Sequence, residues 1–413
     1  MVPNGWEETR LKHIARIKSG STPLRAKQDL YYSQDGTPWV KTLDLNNAEI
    51  FETDERITEL ALKETSCSIF PVNTVLVAMY GGFNQIGRTG LLTVPSAINQ
   101  ALSGLMLDGT KADSKYILNY LNGNVRQWKK FAASSRKDPN ITREDVCNFE
   151  VLLPPLPEQR KIAKILSTWD KAIATTEKLI DASQQQKKAL MQQLLTGKKR
   201  LLDKNGVRFS GDWNALNLGE ILSKVSNGVT YDAKNIEGLP VTRIETISTG
   251  KVNFNKVGFA PDEENTRRFK LHQGDILYSH INSLEHIGRV AYFNDARPLY
   301  HGMNLLLLRT GEKHDSLYIY YLLGSELGKK YAKSYAKSAV NQASISTTDV
   351  KAFRFLIPNL TEQQKIASVL TAADKEIELL QAKLAHLKDE KKALMQQLLT
   401  GKRRVKVDEN VTA

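Results

Sequence analysis

Twelve consecutive residues, KKALMQQLLTGK, occur twice in this chain, at Lys187–Lys198 and at Lys391–Lys402, identical at every position. A looser match precedes each copy: EQRKIAKILSTWDKAI from Glu158 aligns without a gap with EQQKIASVLTAADKEI from Glu362. Such self-similarity marks an internal duplication. It restricts the chain to a plan in which a globular segment and a helical segment each occur twice.

The helical segments carry their own start and stop signals. LPPLPEQ (Leu153–Gln159) and IPNLTEQ (Ile357–Gln363) are proline-bounded turns, and Glu158 and Glu362 suit the positive end of a helix dipole. Gly197 and Gly401 close each stretch as C′ glycines. About forty residues without glycine or proline lie between, roughly 60 Å of helix at 1.5 Å per residue. Ile162, Leu166, Trp169, Ile173, Thr176, Ile180, Leu190 and Leu194 follow a heptad register, interrupted at Ser183 and Lys187. Ile366, Leu370, Ala373, Ile377, Leu380, Leu384, Leu387, Leu394 and Leu398 repeat it, with Lys391 the polar member. Two matching seams predict that the helices pack on each other as a coiled coil; a globular segment could span the rod of a parallel pair, but an antiparallel pair with a pseudo-twofold internal repeat is favoured.

The globular segments repeat more faintly. GWEETRLKHIARIKSG from Gly5 resembles DWNALNLGEILSKVSNG from Asp212, and NTVLVAMYGGFNQIGRTGLL from Asn73 resembles GDILYSHINSLEHIGRVAYF from Gly274. Alternating strand patterns mixed with stretches such as SKYILNYLNGNVRQWKKFA predict an α+β class. The expected organisation is two similar globular domains, residues 1–155 and 206–358, separated by helical repeats at 156–205 and 359–413. Framework positions match while loops differ, as in AMYGGFNQ against YSHINSLEH, the pattern of two binding surfaces with different targets.

The net charge of +13 points to a polyanionic partner. Much of the positive charge in the globular segments is local. Arg126–Arg143 holds six basic residues against one acid, and Lys329–Lys337 holds four against none. These clusters occupy equivalent places in the repeat, with Trp128, Tyr331 and Tyr335 interleaved, a pattern that favours nucleic acid. Two cysteines, Cys67 and Cys147, are too few for a disulfide or zinc framework, and no apolar run suggests a signal or a membrane span, so a cytoplasmic protein is expected.

Catalytic patterns fail on inspection. Gly82–Thr89 approaches a phosphate loop, but Arg88 replaces the required lysine and a strand-like LLTVP follows. The seven histidines have no metal-ligand spacing, and no glycine-rich cofactor motif of a methyltransferase occurs. The expectation is a non-catalytic protein without cofactor or metal.

The opening GW…L, the IGR of each half, the EQ-x-KIA that begins each helix and the LMQQLLTGK that ends it resemble the specificity subunit of type I restriction–modification enzymes. The resemblance covers essentially the whole chain. It implies two target-recognition domains, each reading half of a bipartite double-stranded DNA site. The helices would serve as spacer and as docking surface for two modification subunits, with restriction subunits joining. Inserting one heptad would move the recognition domains apart by about 10 Å, near three base pairs at roughly 3.4 Å each. DNA-contact candidates are Lys41, Tyr80, Asn84, Arg136, Lys137 and Asn140 in the first domain, and Arg243, Ser279, His280, Asn282, Lys337 and Asn341 in the second. The competing reading is a coiled-coil scaffold tethering two protein-binding domains without sequence-specific DNA recognition.

Overall fold

The computed structural model describes residues 2–132, 140–232, 234, 236–339 and 342–407. The chain forms two compact units, Met1–Glu177 with Ala382–Ala413, and Lys178–Gln381. Each unit thus takes one globular segment, half of the first long helix and half of the second.

In the first unit an antiparallel core sheet runs Ala15–Ser19, Leu102–Leu107, Val75–Ala78, Thr89–Leu92, with Glu49–Ile50 added in parallel at the edge. The second unit repeats the order: Leu222–Asn227, Leu306–Thr310, Ile276–Tyr278, Val290–Tyr292. In both, the first strand of the segment pairs antiparallel with the last, Glu7–Arg10 with Glu150–Leu153 and Asn214–Asn217 with Arg354–Ile357. The α+β class and the internal repeat stand as expected.

The IGR motif has a steric explanation. Gly87 and Gly288 have φ of +76° and +78°, a region that side chains with a Cβ rarely enter. A Cβ on Gly87 would lie 2.4 Å from Trp128, and one on Gly288 would lie 2.4 Å from Ala332. The turn therefore delivers the chain into Thr89–Leu92 or Val290–Tyr292 while pressed against the helix Val125–Ala132 or Glu326–Tyr335. Thr89 opens a strand, not a helix, which removes the phosphate-loop geometry.

The long helices run Leu156–Leu194 and Leu360–Leu398. In the first unit the start of one and the end of the other share a core, with Ile162, Leu166 and Leu398 buried together. In the second unit Leu194 is buried with Ile366 and Leu370. Both pairings are antiparallel. The polar interruptions of the seam are resolved by ion pairs: Lys187 reaches Asp374 and Lys391 reaches Asp170, equivalent positions of the repeat. Snorkelling lets each lysine stem cover the seam while its ammonium meets a carboxylate.

Glu158 and Glu362 do more than favour a helix dipole. Each is buried, 4% and 0% exposed. The Arg404 guanidinium donates to both oxygens of Glu158 at 2.8 and 2.7 Å, and Arg200 donates to both of Glu362 at 2.6 and 2.7 Å. The residue just past the end of each helix thus clamps the first turn of the other. Such bidentate pairs are strong and directional.

Two outcomes follow. Arg404→Met strands a buried carboxylate and should lower the stability of the first unit by about 2 kcal/mol, discounted for the half-exposed arginine. Adding Glu158→Gln should recover part of that loss in a denaturation series. Gly288→Ala and Gly87→Ala should each cost about 2 kcal/mol or more through strain and overpacking, read as lost thermal stability.

Candidate nucleic-acid interface

In the second unit the loop after Ile276–Tyr278 and the segment after the basic helix Glu326–Tyr335 are zipped into one small sheet. Ile281–Asn282 pairs with Gln342–Ser344, which pairs with Lys337–Ala339. The register sets Lys337 on one face of this sheet with Ser344 and Ile281, and Asn282 on the other with Ala343; Lys337 is exposed and Asn282 half-buried. The Asn282 amide is held in place: Nδ2 donates to Ser279 Oγ at 3.0 Å, and Oδ1 accepts from the Ser283 backbone N–H at 2.8 Å.

Ser279 and His280 are 0% and 6% exposed, and burial withdraws both from the contact set. Ser279 orients Asn282. The Ile345 N–H bonds the His280 carbonyl at 2.8 Å, fastening the strand that leads out of the small sheet. Asn341 lies outside the described residues.

The first unit has the same join. The Ile141 N–H bonds the Met79 carbonyl at 3.0 Å, which sets Asn140 beside the loop holding Tyr80 and Asn84. Asn84 and Asn140 are exposed, and Tyr80 is 43% exposed. Arg136 and Lys137 lie outside the described residues.

Lys41 and Arg243 occupy equivalent corners away from these joins, each just before a short 3-10 turn. Both are already engaged. Lys41 Nζ pairs with Glu55 at 2.8 Å and Asp54 at 3.7 Å, and Arg243 Nε pairs with Glu245 at 3.3 Å. The Glu55 carboxylate holds the Lys41 ammonium above its usual range. A phosphate at either corner would have to compete with these acids.

Two of the three aromatic residues interleaved with the basic clusters pack on the core, while Tyr335 is 36% exposed. Trp128 is fully buried, its ring 4.0 Å from Phe149, and Tyr331 stacks on Phe353 at 5.5 Å while its hydroxyl donates to the Arg354 carbonyl. The amphipathic helix turns its aromatic side inward and its lysines outward, so the interleaving reflected helical periodicity. Conversely, the loop tips expose an apolar residue at the same aligned place, Phe83 and Leu284, each 51% exposed. The alignment that placed Asn73 against Gly274 could have flagged them.

Two buried histidines of the second unit are held in the neutral form by their surroundings. Desolvation lowers both His280 and His301 from 6.5 to about 4. His301 is 0% exposed and its Nε2 lies 3.2 Å from the Ser226 carbonyl. No group of three metal-ligating side chains occurs among the described residues, and no helix is long and apolar enough to cross a membrane.

Residues 3–183 and 210–389 match the family described as type I restriction modification DNA specificity domain. The chain belongs to that family. The two family segments coincide with the two repeats seen in the fold. Among relatives, the type I restriction enzyme MjaVIII specificity subunit of Methanocaldococcus jannaschii is 26% identical over 98% of this chain and 94% of its own length. A second protein of that organism, bearing the name MjaX specificity subunit, is 42% identical over 195 residues, 46% of each chain. The alignment with that protein thus spans about half of its length. The crystal structure of the type I restriction–modification system S subunit from M. genitalium superposes with a TM-score of 0.61 at 18% identity, covering 97% of this chain and 98% of that one. That likeness concerns the specificity-subunit fold.

Neutral buried histidines carry a pH consequence. Their folded pKa lies below the unfolded value, so their contribution is fully present above pH 6.5 and is lost as pH falls from 6.5 towards 4. For His301 the full loss is about 3 kcal/mol. Hydrogen exchange at pH 6.5 and 4.5 should show the globular part of the second unit losing protection well ahead of the first, and His301→Gln should blunt the difference.

Proposed function

We propose that this chain is the non-catalytic specificity subunit of a type I restriction–modification complex, in which each globular segment reads one half of a bipartite double-stranded DNA site. The observation that carries the reading is the duplicated recognition join. Equivalent loops meet at Met79–Ile141 and His280–Ile345, on a shared sheet framework, with different exposed residues in each. A common scaffold with two unlike polar surfaces suits two unlike half-sites. The working domain limits are residues 1–155 and 206–358 for recognition, and 156–205 and 359–413 for spacing and docking.

Tyr80, Asn84, Asn140, Asn282 and Lys337, with Arg136, Lys137 and Asn341, are the proposed contacts, and Phe83 and Leu284 join them as apolar contacts at the loop tips. Lys41 and Arg243 are assigned to phosphates at the rim. Asparagine amides suit adenine edges, while lysine neutralises phosphate and sets register.

The helices are proposed to dock two copies of the modification subunit, with restriction subunits joining them. The twelve identical residues support twofold docking. Within them Lys188, Gln192, Gln193, Thr196 and Lys198 are exposed, as are Lys392, Gln396, Gln397, Thr400 and Lys402. No packing requirement holds exposed positions identical, and the same surface presented twice fits the same partner twice. Catalysis and S-adenosylmethionine binding belong, in this reading, to that partner, and the complex works in the cytoplasm.

Binding of the complex to its split site should exceed binding to random duplex by about a thousandfold at physiological salt. Lys337→Ala should weaken binding to all sequences alike and reduce the slope of log K against log salt by about one. Asn282→Ala should relax discrimination in one half-site only. Equal affinity for all duplexes, varying with salt alone, would instead support the tethering scaffold.

A further inference from the structure

We propose that Gln159 and Gln363 are positioning residues that fix the direction in which each globular segment leaves its long helix, and so decide which spacer length between half-sites is accepted. The inference rests on the bipartite-site reading above.

The joint between globular segment and helix is short. The strand Glu150–Leu153 is followed by Pro154 and Pro155 before the helix Leu156–Leu194 begins. Its counterpart has Pro358 and Asn359 between Arg354–Ile357 and Leu360–Leu398. Two residues limit the distance across a joint but do not by themselves fix its direction: proline sets φ and restricts the residue before it, while ψ of Pro155, Pro358 and Asn359 remains variable.

One glutamine spans each joint. Gln159 Nε2 donates to the Pro154 carbonyl and to the Lys111 carbonyl, both at 2.9 Å, and Oε1 accepts from the Asp113 N–H at 2.9 Å. Asp113 is the N-cap of Ser114–Gly123, the helix that lies across the core sheet. Gln363 repeats the arrangement: Nε2 donates to the Pro358 carbonyl at 2.8 Å, and Oε1 accepts from the Asp315 N–H at 2.9 Å, the N-cap of Ser316–Gly324. Both glutamines are 1% exposed.

A side-chain amide offers two donors and an acceptor in fixed directions, a combination that glutamate and methionine lack. It ties three points, the joint, the turn before the core helix and the first turn of the long helix, so it sets an angle as well as filling space. The neighbouring Glu158 and Glu362 take the arginine after the other long helix. Adjacent residues thus divide the work: glutamate joins helix to helix, and glutamine joins globular segment to helix. The angle matters because one extra base pair rotates the second half-site by about 35° and moves it about 3.4 Å.

The test uses the full chain carrying Gln159→Met and Gln363→Met, assembled with its modification subunit. Methionine preserves the buried volume and removes the donors. The probes are duplexes with the split site found by methylation mapping, with the spacer unchanged, one base pair shorter or one longer, and duplexes with one half-site base altered. Discrimination against the wrong spacers should fall at least fivefold, with discrimination against altered half-sites kept within twofold. Spacer discrimination unchanged within twofold overturns the assignment, and so does an equal fall in both kinds of discrimination. Should the double variant fail to fold, each single variant is judged by the same criterion, and failure of both to fold marks a purely structural role and also overturns it. A wild-type complex with no preference for any split site would instead remove the bipartite-site reading on which the assignment depends.

Discussion

The carboxylates of Glu158 and Glu362 are buried at the first turns of the two long helices, and their pairing with Arg404 and Arg200 is the constraint on which the architecture depends. An unpaired carboxylate in that position would be expensive, so each helix start requires the arginine that follows the other helix end. Parallel helices could not satisfy this, because the arginine lies beyond Gly197 or Gly401 in the chain and reaches only a neighbour running the opposite way. The same pairing holds the N-terminal strand region in place, since Trp6 Nε1 also donates to Glu158 Oε2 at 3.2 Å.

This explains why a glutamate at each helix start and an arginine after each helix end recur in both repeats while the exposed loops differ. EQ at the helix start and LTGK followed two residues later by arginine are the chemistry of closure, needed twice in the same form. The loops after the core strands carry no such demand. Their backbones are joined in the same way in both units, and their exposed side chains are left free to specialise.

Much of this was legible in the sequence. The heptad positions from Ile162 to Leu194 and from Ile366 to Leu398 lie on the buried or half-buried seam, because a strict seven-residue period leaves few other solutions. The strand-like LLTVP after Arg88 argued against a phosphate loop, and Thr89 does open a strand. What stayed hidden needed a third dimension. Glu158 and Glu362 looked like dipole partners because their arginines stand 246 and 162 residues away. Gln159 carried no sequence signal as a brace, since its partners are backbone atoms. Trp128 and Tyr331 suggested nucleic acid because charge and aromaticity alternate along an amphipathic helix whichever side faces the core. Ser279 and His280 sit one and two residues beyond a buried strand, and only the tertiary packing decides that they are buried too.

In the proposed function this one chain chooses the DNA sequence acted on by its partners. The most direct measurement is genome-wide methylation mapping in cells that express the cognate modification subunit with and without this chain. Methylation at one split motif, present only with the chain, is the expected result. Exchanging residues 1–155 for those of a relative should change one half of that motif and leave the other intact. An unchanged methylation pattern with and without the chain would contradict it.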